Sequence, residues 1–440
     1  MKRHIYQQLT DWRLSAARKP LILRGARQVG KTHIVRTLGK DFSNFVEINF
    51  EKEPKFHTVF EQDLNAKRII RDLALLSGQE IIPGKTLLFF DEIQEVQKAI
   101  TALRYFYEEC SELHVIAAGS LLDFSLENTS VPVGRVDFLS MYPMSFIEFL
   151  RACGLALMSK AILEHEIHQA LTESVHQQIL ETLAVYMAVG GMPEAVKKWI
   201  ETSEIAPCIK VHHSLIETYK QDFQKYATKF QIKYIDLLFD RVPAMLGNKF
   251  QYKDIPGEYR KRELAPCLDL LEKANVIHRV LNSAGQGVPL GAQAKSDHFK
   301  VIFLDVALAQ TILGLEVKDW LLSPTQSLIN KGAIVEAFVG QEILAYSDPY
   351  QKTQLYYWCR ESRNSNAEVD YLMQYNQLVL PIEVKGGKSG QLKSAKIFLE
   401  EHQRSPYGIR FSAHNFSIYD WLRSYPLYAV ANMLRSKLCI

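Results

Sequence analysis

Pro20-Leu21-Ile22-Leu23-Arg24-Gly25-Ala26-Arg27-Gln28-Val29-Gly30-Lys31-Thr32-His33-Ile34-Val35 is the stretch that decides the fold. An apolar run of strand length enters a glycine-framed loop, and the loop opens into a segment that continues as a helix. Gly25 to Thr32 fits the spacing G-x-x-x-x-G-K-[ST], in which each fixed residue has a phosphate-related reason to be there. The glycines let the backbone curl until successive N–H groups face an anion. Lys31 adds a mobile positive charge suited to β- and γ-phosphates, and Thr32 offers a hydroxyl to Mg²⁺. The helix that begins here turns its positive dipole end toward the phosphates. Gly25, Ala26, Arg27, Gln28, Val29, Gly30, Lys31 and Thr32 are therefore the expected ATP-binding residues.

Working outward, Leu87-Leu88-Phe89-Phe90-Asp91-Glu92 is an apolar strand ending in two carboxylates. Asp91 is placed to hold Mg²⁺ through water or Thr32. Glu92 is placed to polarise an attacking water as general base. Read alone, the segment is equally an ordinary buried strand with a solvated end; the loop upstream gives it a nucleotide to serve. Leu113 to Ala118 reads as a third strand, followed by Gly119-Ser120, where Ser120 is either a γ-phosphate sensor or a turn serine. Asn44 to Phe50 reads as a strand, and Asp63 to Leu76 and Val96 to Cys110 have helical periodicity. This alternation implies a parallel sheet covered by helices, with nucleotide at the strands' carboxyl ends.

At 440 residues, 47% hydrophobic and 23% charged, the chain has material for two or three globular domains. It contains no apolar run of membrane-spanning length, and its basic N-terminus lacks an apolar signal core, so no membrane partner is expected. A formal charge of +3 permits nucleic-acid contact without arguing for it. The six cysteines show no C-x-x-C spacing, which suggests neither a zinc site nor a disulfide framework and fits a reducing cytoplasm.

Ala161 to Val189 meets no strong helix breaker before Gly190-Gly191, after which Pro193 can open the next helix. His212-His213 reads as a surface pair on an ordinary helix. Helix signals at 234–239 and 263–273 precede strand signals at 276–281 and 299–304, an order that fits a winged helix and its hairpin. Lys249, Lys253, Arg260, Lys261 and Arg262 would meet DNA phosphates there, or form a solvated face. Further on, Leu355 to Trp358, Glu368 to Met373 and Leu378 to Lys385 read as antiparallel strands. Alternation puts Glu383 and Lys385 on one face, and Asp370 from the neighbouring strand can meet them, giving a D…E-x-K arrangement. Such carboxylates can hold Mg²⁺ while the lysine orients or deprotonates a water; a plain salt bridge needs none of this. Ile418 to Leu438 reads as an amphipathic helical cap.

Gly25 to Thr32, Asp91-Glu92-Ile93-Gln94, Ala118-Gly119-Ser120, Gly134-Arg135, Tyr142 to Phe149 and Gly190-Gly191-Met192-Pro193-Glu194 together resemble the prokaryotic AAA+-type ATPases that carry a C-terminal domain of unknown function. The resemblance runs over essentially the whole chain. It implies an α/β protein: a P-loop parallel-sheet core over residues 1–150, a helical lid over 151–225, a winged-helix-like segment over 226–325, and a restriction-endonuclease-like domain over 326–440. It implies ATP and Mg²⁺ as cofactors, and makes Arg135 the candidate arginine for a γ-phosphate, with a structural salt bridge as its alternative. Glu336 resembles the helix carboxylate that completes a restriction-like metal site with Asp370 and Glu383. Three functions follow as expectations: a Mg²⁺-dependent ATPase coupled to a nucleic-acid-related domain, an ATP-gated DNA nuclease, and a nucleotide-dependent DNA-binding or scaffold protein. Homo-oligomerisation is left open.

Overall fold

The computed structural model describes residues 1–119, 122, 134–225, 227–360, 367–387 and 392–434. By contacts the chain divides into two units, one of residues 2–142 with 348–352, the other of residues 143–347 with the described chain from 353 onward. In the first unit the strands are β1 (Leu21–Arg24), β2 (Asn44–Asn49), β3 (Thr86–Asp91), β4 (His114–Ala118) and β5 (Asp137–Ser140). All pair in parallel, in the order β2-β3-β4-β1-β5. Leu21 to Leu23 and the whole of β3 are buried, which is why both read as unbroken apolar runs rather than as alternation. Parallel pairing puts the loop after β1 and the carboxylates after β3 at the same edge of the sheet.

Helices α1 (Ile5–Leu14), α2 (Lys31–Gly39), α3 (Ala66–Ser77) and α4 (Gln97–Glu109) are among the described elements of this unit. The Asn65 side chain accepts from the Arg68 amide and starts α3, leaving Asp63 and Leu64 outside a helix expected to include them. One core is a knot of rings: Phe90 lies 5.5 Å from Phe50, 5.9 Å from Phe60 and 5.8 Å from Phe106 by centroid. β5 has no signal of its own, because its ends are the polar Asp137 and Ser140; pairing with β1 makes it a strand.

The second unit holds one eight-stranded sheet. Its strands are β6 (Ile277–Ser283), β7 (Ala294–Phe303), β8 (Leu355–Cys359), β9 (Glu368–Tyr375), β10 (Leu378–Val384), β11 (Gly408–Ser412), β12 (Ser417–Tyr419) and β13 (Leu422–Pro426). They run in the order β12-β13-β11-β10-β9-β8-β6-β7. The expected hairpin forms as β6 and β7, and β6 also pairs in parallel with β8. Hairpin and C-terminal strands therefore share one sheet.

Three expectations need correction. The helix read from Ala161 to Val189 is two, Ala156–Leu163 and Glu173–Val189. Side chains from far along the chain satisfy the backbone between them: Asn432 donates to the carbonyls of Ile162 and His165, and Asn415 bonds both N–H and C=O of Leu171. Ile418 to Leu438 is not a helical cap over its described part. β13 takes its backbone partners from β11 and β12, and the described helix is confined to a 3-10 turn at Leu427–Ala429 and one α-helical turn at Val430–Met433. His212 is buried, with Nε2 at 2.9 Å from the Val189 carbonyl and Nδ1 at 3.3 Å from the Thr311 hydroxyl. Among the described residues no helix is long and apolar enough to cross a membrane.

Candidate functional site: a phosphate loop and a carboxylate cluster

The loop after β1 is shaped by positive φ angles at Gly25 (138°), Gln28 (63°) and Gly30 (102°). A Cβ at Gly25 would run into the Met141 carbonyl oxygen, so the first glycine is required by close approach as well as by φ. α2 starts at Lys31 directly behind Gly30, leaving its first N–H groups facing the loop. The Lys31 ammonium is buried and donates to the carbonyls of Gly25 and Ala26, both at 2.8 Å. The Thr32 hydroxyl lies 3.3 and 3.2 Å from the two oxygens of Asp91, and Asn49 donates to the same carboxylate at 3.1 Å. Burial, then the charges of Glu92 and Glu47, push the Asp91 carboxyl up to about 6. A divalent cation would reverse that, and a hydroxyl beside a carboxylate is a donor set that suits Mg²⁺. Glu92 sits in the left-handed region at φ 52°, a cost of about 1–2 kcal/mol for a residue with a Cβ. The Gln94 amide donates to its Oε2 at 2.6 Å.

In the second unit, Asp370, Glu383 and Lys385 do come together. Continuing the β9–β10 register by one pair sets Asp370 opposite Glu383. The Val384 amide donates to Asp370 Oδ2 at 2.7 Å, and the Lys385 ammonium contacts Glu383 Oε2 at 2.8 Å. Glu336, from helix Gly332–Ala345, joins them through Lys300 of β7. The Lys300 Nζ lies 3.0 Å from Glu336, 2.6 Å from Glu368 and 3.8 Å from Asp370. Only 2% of Lys300 is exposed. Burial works against its ammonium, but the carboxylates of Glu336, Asp370 and Glu368 outweigh that and hold its pKa above the usual lysine value. Burial and then the Asp370 charge raise Glu336 and Glu383 each to about 7. Among the described residues no three His, Cys, Asp or Glu side chains are arranged to hold a metal ion. A cavity of about 550 Å³ opens beside the cluster, lined by Arg241, Gly247, Asn248, Lys249, Gln251 and Glu368.

Residues 17–150 match the AAA domain family. The chain carries an AAA-type P-loop domain. Residues 180–319 and 331–434 each match a domain of unknown function. Among solved structures the chain is similar to the Walker-type ATPase of Pyrococcus abyssi, at 16% identity over 70% of this chain and 94% of that one, with a TM-score of 0.44. It is also similar to RuvB of Thermotoga maritima in a substituted form, at 13% identity over 63% and 88% of the two chains, with a TM-score of 0.29. No curated protein matches the chain.

Several residues around the AAA domain's loop had no motif to reveal them. Arg3, visible in the sequence only as part of a basic N-terminus, donates to the carbonyls of Val29 at 2.8 Å and Tyr142 at 2.6 Å. It ties the phosphate loop to the chain beyond β5. Gln94 packs where a Cβ on Gly119 would strike its side-chain oxygen, so this glycine makes room for the side chain that holds Glu92. Arg135 is half-exposed and pairs with Glu108 at 2.9 Å, the salt bridge weighed against a γ-phosphate role. Ser120 lies outside the described residues. Lys300 did leave a signal, as the one charge in the apolar run Phe299 to Leu304.

The two glycines of Gly190-Gly191 serve a buried carboxylate. Asp305 accepts from the amides of Gly191 (2.7 Å), Ala307 (2.9 Å) and Leu308 (3.1 Å). Gly191 in turn receives the Met144 amide on its carbonyl at 2.7 Å, so the segments 142–149 and 190–194 meet as one structural joint.

Proposed function

We propose that the protein hydrolyses ATP with Mg²⁺ at the loop of its AAA domain. The observation that carries this reading is the meeting of Thr32, at the start of α2, with Asp91, at the end of β3, behind a buried lysine. Lys31 and the loop amides would bind and orient the phosphates. Thr32 and Asp91 would hold Mg²⁺, whose chemistry is to offset the charge that develops on the transferred phosphoryl group. Glu92 would accept the proton of the attacking water, with Gln94 fixing the direction of its carboxylate. Lys31→Ala is expected to abolish nucleotide binding. Glu92→Gln is expected to retain bound ATP while lowering turnover at least about 100-fold. Hydrolysis at the wild-type rate in either variant refutes the assignment.

The second unit supports a nucleic-acid-binding or scaffold role for the ATP cycle to control. Helix Gly332–Ala345, three antiparallel strands, helix Lys393–Glu401 and the parallel β11 follow one another along the chain, which supports the restriction-like reading. The ammonium of Lys300 inside the carboxylate cluster favours binding over cleavage. Among the basic residues proposed to meet DNA, Lys261 pairs with Asp297 at 3.0 Å and Lys249 with Glu368 at 3.7 Å. Salt-sensitive, nucleotide-dependent DNA binding without cleavage is the result expected. An ATP-stimulated nuclease lost on Asp370→Asn would establish the other function.

A further inference from the structure

Four carboxylates converge in the second unit, and each has a partner from the chain itself. Glu336, Glu368 and one oxygen of Asp370 surround the Lys300 ammonium. The other oxygen of Asp370 accepts the Val384 amide, and Glu383 is paired with Lys385. Lys249 approaches the second oxygen of Glu368 at 3.7 Å. Buried carboxylates left uncompensated cost several kcal/mol each, so a cation is required at this place, and the restriction-like reading expects a divalent ion to meet the need. That ion needs oxygens at about 2.0–2.6 Å with free lone pairs toward it. Here the oxygens of Glu336 and Glu368 stand at ammonium distances from a nitrogen that already fills the space.

We infer that Lys300 is a built-in cation standing where a divalent metal would sit, and that the cluster is a closed, metal-independent ion-pair network. Lys300 is held there from both sides: its strand pairs with β6 on one edge, and an isolated bridge from Lys249 meets it on the other. Its ammonium lies 5.4 Å from the centre of the Tyr357 ring, which closes the cluster on another face. Removing the charge while keeping the length should therefore turn a self-satisfied network into a latent site for Mg²⁺ or Mn²⁺. The inference concerns the second unit alone and does not depend on the ATPase reading.

The test is Mn²⁺ binding by the full-length, nucleotide-free protein, followed by electron paramagnetic resonance. An Asp91→Asn background keeps the nucleotide site from contributing an ion. With Lys300 in place, no Mn²⁺ is expected at the cluster. Adding Lys300→Met should create about one site per chain, and adding Asp370→Asn should remove it. If the methionine protein does not fold by itself, Mn²⁺ should restore its circular dichroism; failure to do so counts against the proposal, as does a folded methionine protein that binds no ion. Mn²⁺ binding or metal-dependent DNA cleavage by protein containing Lys300, abolished by Asp370→Asn, would overturn it.

Discussion

Asp91→Asn should make the nucleotide-free AAA domain more stable while removing the carboxylate proposed to hold Mg²⁺ with ATP. The Asp91 carboxyl is raised from 3.8 to about 6, chiefly by burial. A group whose folded pKa lies above its unfolded one favours the fold at low pH, and that contribution is lost as pH rises through the folded value. For Asp91 the loss runs between about pH 4 and pH 6. Two decades of proton affinity, at about 1.4 kcal/mol each, set it near 3 kcal/mol. Asparagine has no charge to bury, so it escapes this loss. It has one acceptor oxygen for the Thr32 hydroxyl and the Asn49 amide, which share two in the wild type, and a weakened hydrogen bond takes back about 1 kcal/mol. The net expectation is a gain of about 2 kcal/mol above pH 6 that gives way to a loss of about 1 kcal/mol below pH 4. Native-state hydrogen exchange of the β1 and β3 amides, at a series of pH values, reads the stability of this unit. A variant less stable than wild type at pH 7, or a difference that does not change between pH 4 and pH 7, refutes the reasoning. Such a gain is what a residue kept for catalysis at a cost in stability should show.

Arg3→Ala removes both ties between the phosphate loop and Tyr142 and should weaken nucleotide binding about tenfold, near 1.4 kcal/mol; fluorescent-nucleotide titration measures it, and unchanged affinity would show that the loop holds its shape unaided. Gly190→Ala places a Cβ against the Asp305 carboxylate at a backbone with φ 76° and ψ −176°, and about 3 kcal/mol of destabilisation is expected in denaturant titration of the second unit. Glu342 is raised to about 8, first by burial, so its contribution to stability should fall as pH climbs from the ordinary glutamate range through 8. Glu342→Gln should flatten that part of the stability profile.

The loop and its meeting with Asp91 were legible because the residues that shape them are nearly consecutive. Gly25, Gly30, Lys31 and Thr32 lie within one turn of chain, and Asp91-Glu92 announce themselves as charges at the end of an apolar run. The strands β1, β3 and β4 were legible as apolar runs because they are buried on both faces, and β2 as an alternating one, with Val46 and Ile48 buried and Glu47 between them. β5 was not, since its few apolar residues count only beside β1. The carboxylate cluster was half legible: strand alternation brings Asp370, Glu383 and Lys385 to one face. The apolar run that ends β7, by contrast, marks Lys300 as enclosed but says nothing about which residues it will face.

By itself the sequence determined that residues 20–35 make a strand, a phosphate loop and a helix, because local backbone freedom and local charge suffice for that. Tertiary structure alone decided what surrounds them. It placed Arg3 on Val29 and Tyr142, turned Gln94 to hold Glu92, and carried Lys300 into three carboxylates drawn from two other elements. Long-range contacts leave no periodicity in the chain, since the partners are set by how the sheets and helices pack, and here that packing supplied the ammonium that the carboxylates of the second unit surround.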